Sequence, residues 1–137
     1  MTMIFVNLPV ADLPRSRAFY EGIGCTINEN FSDDTAACVV FSETIYVMLL
    51  THAKMAEFTA LPIGDATKDT QHLLALSQDS KADVDSIVAA ALASGGTEPR
   101  GAQDMGFMYS RSFADPDGHV WEPLWMDPAA AAGGPPD

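Results

Sequence analysis

The stretch Asp115-Pro116-Asp117-Gly118-His119-Val120-Trp121-Glu122 decides how this chain is read. Pro116 presets φ, aspartate caps its own backbone, and Gly118 takes a positive φ at no steric cost, so Asp115–Gly118 reads as a tight turn. Strand-like runs flank it, Met108 to Phe113 and Val120 to Met126, and together they make a hairpin. His119 falls at the turn and is expected at the surface. On the returning strand Val120, Glu122, Leu124 and Met126 share one face, and His119, Trp121 and Trp125 the other. Glu122 therefore stands on a mainly apolar strand face, where a charge needs a partner or a task.

Outward from this hairpin the chain shows the same plan twice. Residues 3–10 read as a strand, with Phe5 and Asn7 on one face and Ile4, Val6 and Leu8 on the other. Asp12 is a helix N-cap with Pro14 in the first turn, and Gly22 and Gly24 stop that helix. Strands are expected at 25–31, 36–42 and 45–50. Residues 52–70 break the rhythm, with a short helix at His52–Phe58 and a loop at 61–65. The second half opens with a strand at Gln71–Ser77 and a helix capped by Ser80 and stopped at Gly95-Gly96. A short strand at Thr97–Arg100 and the hairpin follow. The stops Gly24 and Gly95 lie 71 positions apart, which points to an internal duplication. The tail from Pro128 is low in complexity and is expected to be disordered.

Composition narrows the function. The chain has 137 residues, enough for one domain with a core, and 47% of them are hydrophobic. Net charge is −12, from 7 Lys and Arg against 19 Asp and Glu, with no basic patch, which argues against a nucleic-acid partner. No apolar run approaches the ~18 residues that a membrane span needs. The N-terminus does not read as a signal peptide. Two cysteines, Cys25 and Cys38, make no disulfide framework and read as reduced core residues of a cytoplasmic protein. No Gly-rich phosphate loop, G-x-S-x-G elbow or H-E-x-x-H run occurs.

The D-P-D-G turn with Glu122 four residues after its Gly resembles the glyoxalase, bleomycin resistance protein and dioxygenase (vicinal oxygen chelate) superfamily. Val10-Ala11-Asp12-Leu13 followed by Arg17-Ala18-Phe19-Tyr20 resembles that superfamily's V-x-D-L…FY opening, and the similarity covers roughly residues 3–126. The runs at 5–10, 46–50 and 106–109 are closest to small bacterial glyoxalase-like proteins. The resemblance implies an α+β fold: two βαβββ modules, at about 3–51 and 71–126, whose curved mixed sheets wrap a cavity. Residues 52–70 connect the modules within a single domain 1–127, and 128–137 form the tail. It also implies a homodimer.

Metal-dependent relatives place ligands at four positions, and here only Glu122 matches. The first position is Phe5, with Asn7 on the same face but a poor ligand alone. The second strand position, in 46–50, has no carboxylate. The third falls on Leu73 by the Ala75-Leu76-Ser77 register, and His72 reaches it only if that strand shifts by one. The expectation is no metal cofactor, with His72 a partly buried structural histidine. The alternative is Zn, Ni, Fe or Mn on Glu122, His72 and Asn7. Glu122 is otherwise a structural carboxylate bonded to Arg111 or to backbone, or a general base. Phe5, Asn7, Tyr109 and Arg111 are the ligand-binding candidates, with Tyr109 and Arg111 placed to hold an anionic or carbonyl group, or else core and surface ion pair.

Two functions of different class follow. One is a glyoxalase-like lyase, isomerase or dioxygenase acting on a small carbonyl or aromatic compound through Glu122. The other is a metal-free protein that binds and sequesters a small molecule, as bleomycin resistance proteins do. Glutathione-dependent glyoxalase activity would need the missing ligands.

Overall fold

The apolar runs and turn residues close into two sheets in the computed structural model, which describes residues 1–135. The first half holds β1 (Ile4–Val10), α1 (Leu13–Gly22), β2 (Thr26–Asn28), β3 (Ala36–Val40) and β4 (Ile45–Thr51). Its sheet runs β1-β4-β3-β2, with β1 parallel to β4 and the other pairs antiparallel. A connecting segment begins with α2 (His52–Met55). The second half holds β5 (Leu74–Ser77), α3 (Lys81–Ala93), β6 (Gln103–Asp104), β7 (Met108–Ser110), β8 (Phe113–Ala114) and β9 (Val120–Met126). Its sheet runs β5-β9-β7-β6, with β5 parallel to β9 and β8 also on β9. The first strand of each half is thus an edge strand parallel to the last. This is the α+β fold of two βαβββ modules expected from the sequence.

Local chemistry sets the helix starts. Asp12 accepts from the Arg15 amide at 3.0 Å ahead of Pro14, and Ser80 accepts from the Asp83 amide at 3.0 Å. Strand alternation sets the layers. Along β1, Leu8 and Val10 are buried while Phe5 and Asn7 are exposed, and along β4 Val47 and Leu49 are buried. The buried faces meet the helices, and a single core runs through both modules, with Leu8, Leu49, Phe19 and Tyr20 from the first and Val88, Phe113 and Trp121 from the second. The two helices approach closely: a Cβ on Gly22 would stand 2.2 Å from Ser94 Oγ. Tyr20 meets Trp121 edge-on across the module boundary, centroids 6.3 Å apart.

The elements differ from the sequence reading where local hydrogen bonds compete with pairing. The strand expected at 25–31 ends at Asn28, whose side chain accepts from the Asn30 amide and starts a 3₁₀ turn, Glu29–Phe31. Gln71–Leu73 stay outside β5. The 97–100 strand reduces to one bridge, Thr97 with Ala114. The strand expected from Met108 breaks at Arg111-Ser112. Part of the expected disordered tail, Pro128–Gly133, forms a short helix α4 capped by Asp127. Residues 136–137 lie outside the described residues.

In the β3–β4 turn of the first module Ser42 Oγ accepts from the Thr44 and Ile45 amides, each at 3.2 Å, and the Thr44 carbonyl accepts from the Ile4 amide at 2.8 Å. Both cysteines are buried and unpaired, and burial pushes the Cys25 thiol up to about 12. Neither thiol is therefore expected to react with Ellman's reagent at pH 8 in native protein, and both are expected to react in 6 M guanidinium. A fast native phase would contradict this packing.

Candidate ligand site

The second module's turn docks into the first module through Asp115, which is 4% exposed. Its Oδ1 accepts from the Asp117 amide at 3.0 Å and the His119 amide at 2.9 Å. Tyr20 on α1 donates its hydroxyl to Asp115 Oδ2 at 2.7 Å and accepts from Trp121 Nε1 at 3.0 Å. Burial pushes the Asp115 carboxyl above its usual range, against the opposing pull of His119 and of the Tyr20 hydrogen bond. Burial, then the Asp115 charge, raises Tyr20 well above an ordinary phenol, so Tyr20 stays a hydroxyl donor.

Asp117 joins the turn to the β1–α1 junction. It accepts from the Ala11 amide at 2.8 Å and from Ser16 Oγ at 3.1 Å. These bonds draw His119 inward, to 6% exposure, with Nε2 2.8 Å from the Pro9 carbonyl oxygen. The surface position expected for His119 is corrected here. Alternation had placed it beside Trp121, but nothing in the turn itself shows that the turn packs against another module.

The connecting segment lies across this turn. Gly118 has φ +90°, and a Cβ there would stand 2.8 Å from the Thr67 amide nitrogen. Between the connector, the end of β1 and the turn lies a cleft of about 480 Å³. Asn7 reaches it from β1, Met55 from α2, Leu61, Ile63, Asp65 and Asp69 from the connector, with His72 and His119 opposite. Asn7 and His72 thus share one site. His72 is exposed and precedes β5, so it is not the partly buried residue expected, and the register question that set it against Leu73 falls away.

The remaining candidates lie elsewhere. Phe5 stacks on Tyr46, centroids 4.6 Å apart and rings 9° from parallel, on the open face of the first sheet. Glu122 Oε2 accepts from Arg100 at 2.9 Å, and the same guanidinium nitrogen reaches Ser110 Oγ at 3.4 Å. Arg100, which sequence reasoning passed over, is therefore the partner of Glu122, in place of Arg111. Arg111 holds both oxygens of Glu98, at 2.9 and 3.0 Å, and Asp85 at 2.9 Å. Tyr109 donates to the same Asp85 oxygen at 2.6 Å. Asp85 is on α3, so Tyr109 and Arg111 occupy the helix-bearing side, with Lys81 Nζ over the Tyr109 and Trp125 rings. The Tyr109 and Arg111 hydrogen bonds hold Asp85 below the usual carboxylate range, and Arg111 does the same for Glu98. The structure does not gather these two residues with Asn7, Phe5 or Glu122.

A family model, Glyoxalase/Bleomycin resistance protein/Dioxygenase superfamily, matches residues 2–122. The chain belongs to this superfamily. Solved structures share its fold. A hypothetical protein from S. aureus has a TM-score of 0.78 at 23% identity, covering 92% of this chain and 95% of that one. A glyoxalase/bleomycin resistance protein/dioxygenase family enzyme from Burkholderia phytofirmans PsJN has a TM-score of 0.73 at 20% identity, covering 92% and 99%. The fosfomycin resistance protein FosX from Mesorhizobium loti has a TM-score of 0.69 at 16% identity, covering 96% and 97%. No curated protein matches.

The superfamily's metal can be tested against the side chains present. At its first position stands Phe5, already stacked on Tyr46, and Glu122 is already tied to Arg100. Among the described residues no three His, Cys, Asp or Glu side chains are grouped as a bound ion would require. This donor set does not fit a catalytic divalent ion.

Proposed function

We propose that this glyoxalase-superfamily chain binds a small molecule in the cleft beneath the connector, without a metal ion. The observation that carries the reading is the cleft itself. Its volume is in the range of ligand sites, and its lining sets apolar Met55, Leu61 and Ile63 beside polar Asn7, Asp65, Asp69, His72 and His119. The Phe5–Tyr46 stack at a family ligand position supports independence from metal. A lyase, isomerase or dioxygenase reading built on Glu122 has less support, because that carboxylate is paired with Arg100 and does not line the cleft. We also propose a homodimer: Phe5, about half exposed on the open face of the first sheet, suits coverage by a second copy. Light scattering of the purified chain would report a single-copy mass if that is wrong.

Asn7→Trp tests the binding reading. Asn7 is exposed, so stability is expected to change by less than about 0.5 kcal/mol. Compounds that stabilise the parent chain in a thermal-shift screen are expected to lose their effect as the indole fills the cleft. Binding that survives this substitution would place the ligand elsewhere. Elemental analysis provides a second check. A near-stoichiometric Zn, Ni, Fe or Mn that disappears in Glu122→Ala would defeat metal independence.

A further inference from the structure

The cleft contains a group whose chemistry is fixed on one side and open on the other. His119 is 94% buried by its 6% exposure, yet it lines the cleft. A carbonyl oxygen only accepts, so Nε2 must carry the proton that bonds Pro9. In the neutral ring Nδ1 is then a bare acceptor. No side chain or backbone group among the described residues donates to it, and no buried side-chain nitrogen is left sealed without a partner. Nδ1 therefore keeps an opening toward the space His119 borders, which is the cleft and an adjoining hollow lined by Arg15, Asp65 and Asp117.

The charges around the cleft select what fills that opening. Asp65 and Asp69 line the cleft, and no Lys or Arg does; Arg15, in the adjoining hollow, is paired with Asp117 at 3.5 Å. Hydrogen bonds from Thr67 hold the Asp65 carboxyl below its usual range, so it is ionised at neutral pH. No permanent cation in this lining would neutralise a carboxylate or phosphate ligand. Met55, Leu61 and Ile63 offer an apolar wall to the rest of a molecule.

We propose that the cleft takes a small apolar amine, bound as its ammonium, which donates a hydrogen bond to His119 Nδ1 while Asp69 and Asp65 face its charge. This rests on the reading of the cleft as a ligand site and names the ligand class. No covalent step is involved.

Three matched probes test it on the intact chain: 4-phenylbutylamine, 4-phenylbutan-1-ol and 4-phenylbutanoate, each titrated into ¹⁵N-labelled protein. The amine is expected to bind about tenfold more tightly than the alcohol, because a charged donor makes the stronger hydrogen bond, and the carboxylate more weakly still. Long-range ¹H–¹⁵N spectra of the histidine rings should show His119 Nδ1 shifting with amine while Nε2 stays in place. Asp69→Asn, at an exposed position, should weaken the amine about threefold more than it weakens the alcohol. Equal binding of alcohol and amine with connector resonances moving, or no movement of His119 Nδ1, would overturn the amine assignment and leave the cleft a ligand site. If none of the probes moves the connector or His119, the amine assignment and the binding reading both fail.

Discussion

Asp115→Ala is expected to cost about 4 kcal/mol of folding stability, a large share of the ~5–15 kcal/mol that holds a domain together. Three donors lose their acceptor at once: the Tyr20 hydroxyl and the Asp117 and His119 amides. All three lie where solvent replaces the lost oxygen poorly, since Asp115 and Tyr20 are 4% and 0% exposed. Urea unfolding monitored by Trp fluorescence measures the loss, and a change below about 1 kcal/mol would mean the hub does not bind the modules together. The isosteric Asp115→Asn separates charge from shape. The folded carboxyl titrates above the ordinary aspartate range, chiefly because of burial. Its stabilising contribution is therefore fully present below the unfolded pKa and falls as pH rises through the folded value. Asp115→Asn should accordingly cost more near pH 4 than near pH 7.5. The opposite slope would mean that the ionised form is the one the fold favours. Titration of the other carboxylates is common to both proteins and cancels in the comparison.

Gly118→Val should have the second large effect. At φ +90° a β-branched residue is strained, and its Cβ would meet the Thr67 amide nitrogen at 2.8 Å and the Ala66 carbonyl carbon at 2.9 Å. Neither neighbour is a flexible side-chain end that could swing aside. A loss of about 2–4 kcal/mol is expected from strain and displaced packing together. The distinctive result is local. The connector should lift from the turn, so that limited proteolysis cuts within 59–72 before the core opens, and cleft ligands should be released. Equal protease resistance in the two proteins would show that the connector is held by other contacts.

These two positions also show what was legible in the sequence. Asp115-Pro116-Asp117-Gly118 declared its turn, because each residue acts on its own backbone. The strand face of Glu122, the caps at Asp12 and Ser80, and the duplicated βαβββ plan were legible for the same reason: they follow from spacing a few residues long. Asn7 and His72 were picked out from the sequence, and the structure brings them into one cleft. His119 was misplaced and Arg100 overlooked because their settings are made by partners far along the chain, Pro9 at 110 positions and Glu122 at 22. The Tyr109 and Arg111 face was decided by Asp85 on α3, at 24 and 26 positions. Hydrophobic period fixes which residues share a side. It does not say which polar group waits on that side.

The two halves repeat a plan but have not kept equal obligations. The Ser42–Thr44 turn is bonded to its own strand ends and, through one backbone bond, to Ile4, whereas its counterpart at Asp115–Gly118 is tied by side chains to β1, α1 and the residues between them. The repeated plan thus carries unequal loads. A change of length is expected to be tolerated better at the first turn than at the second, on which β1, α1 and the buried Tyr20 and His119 all rest.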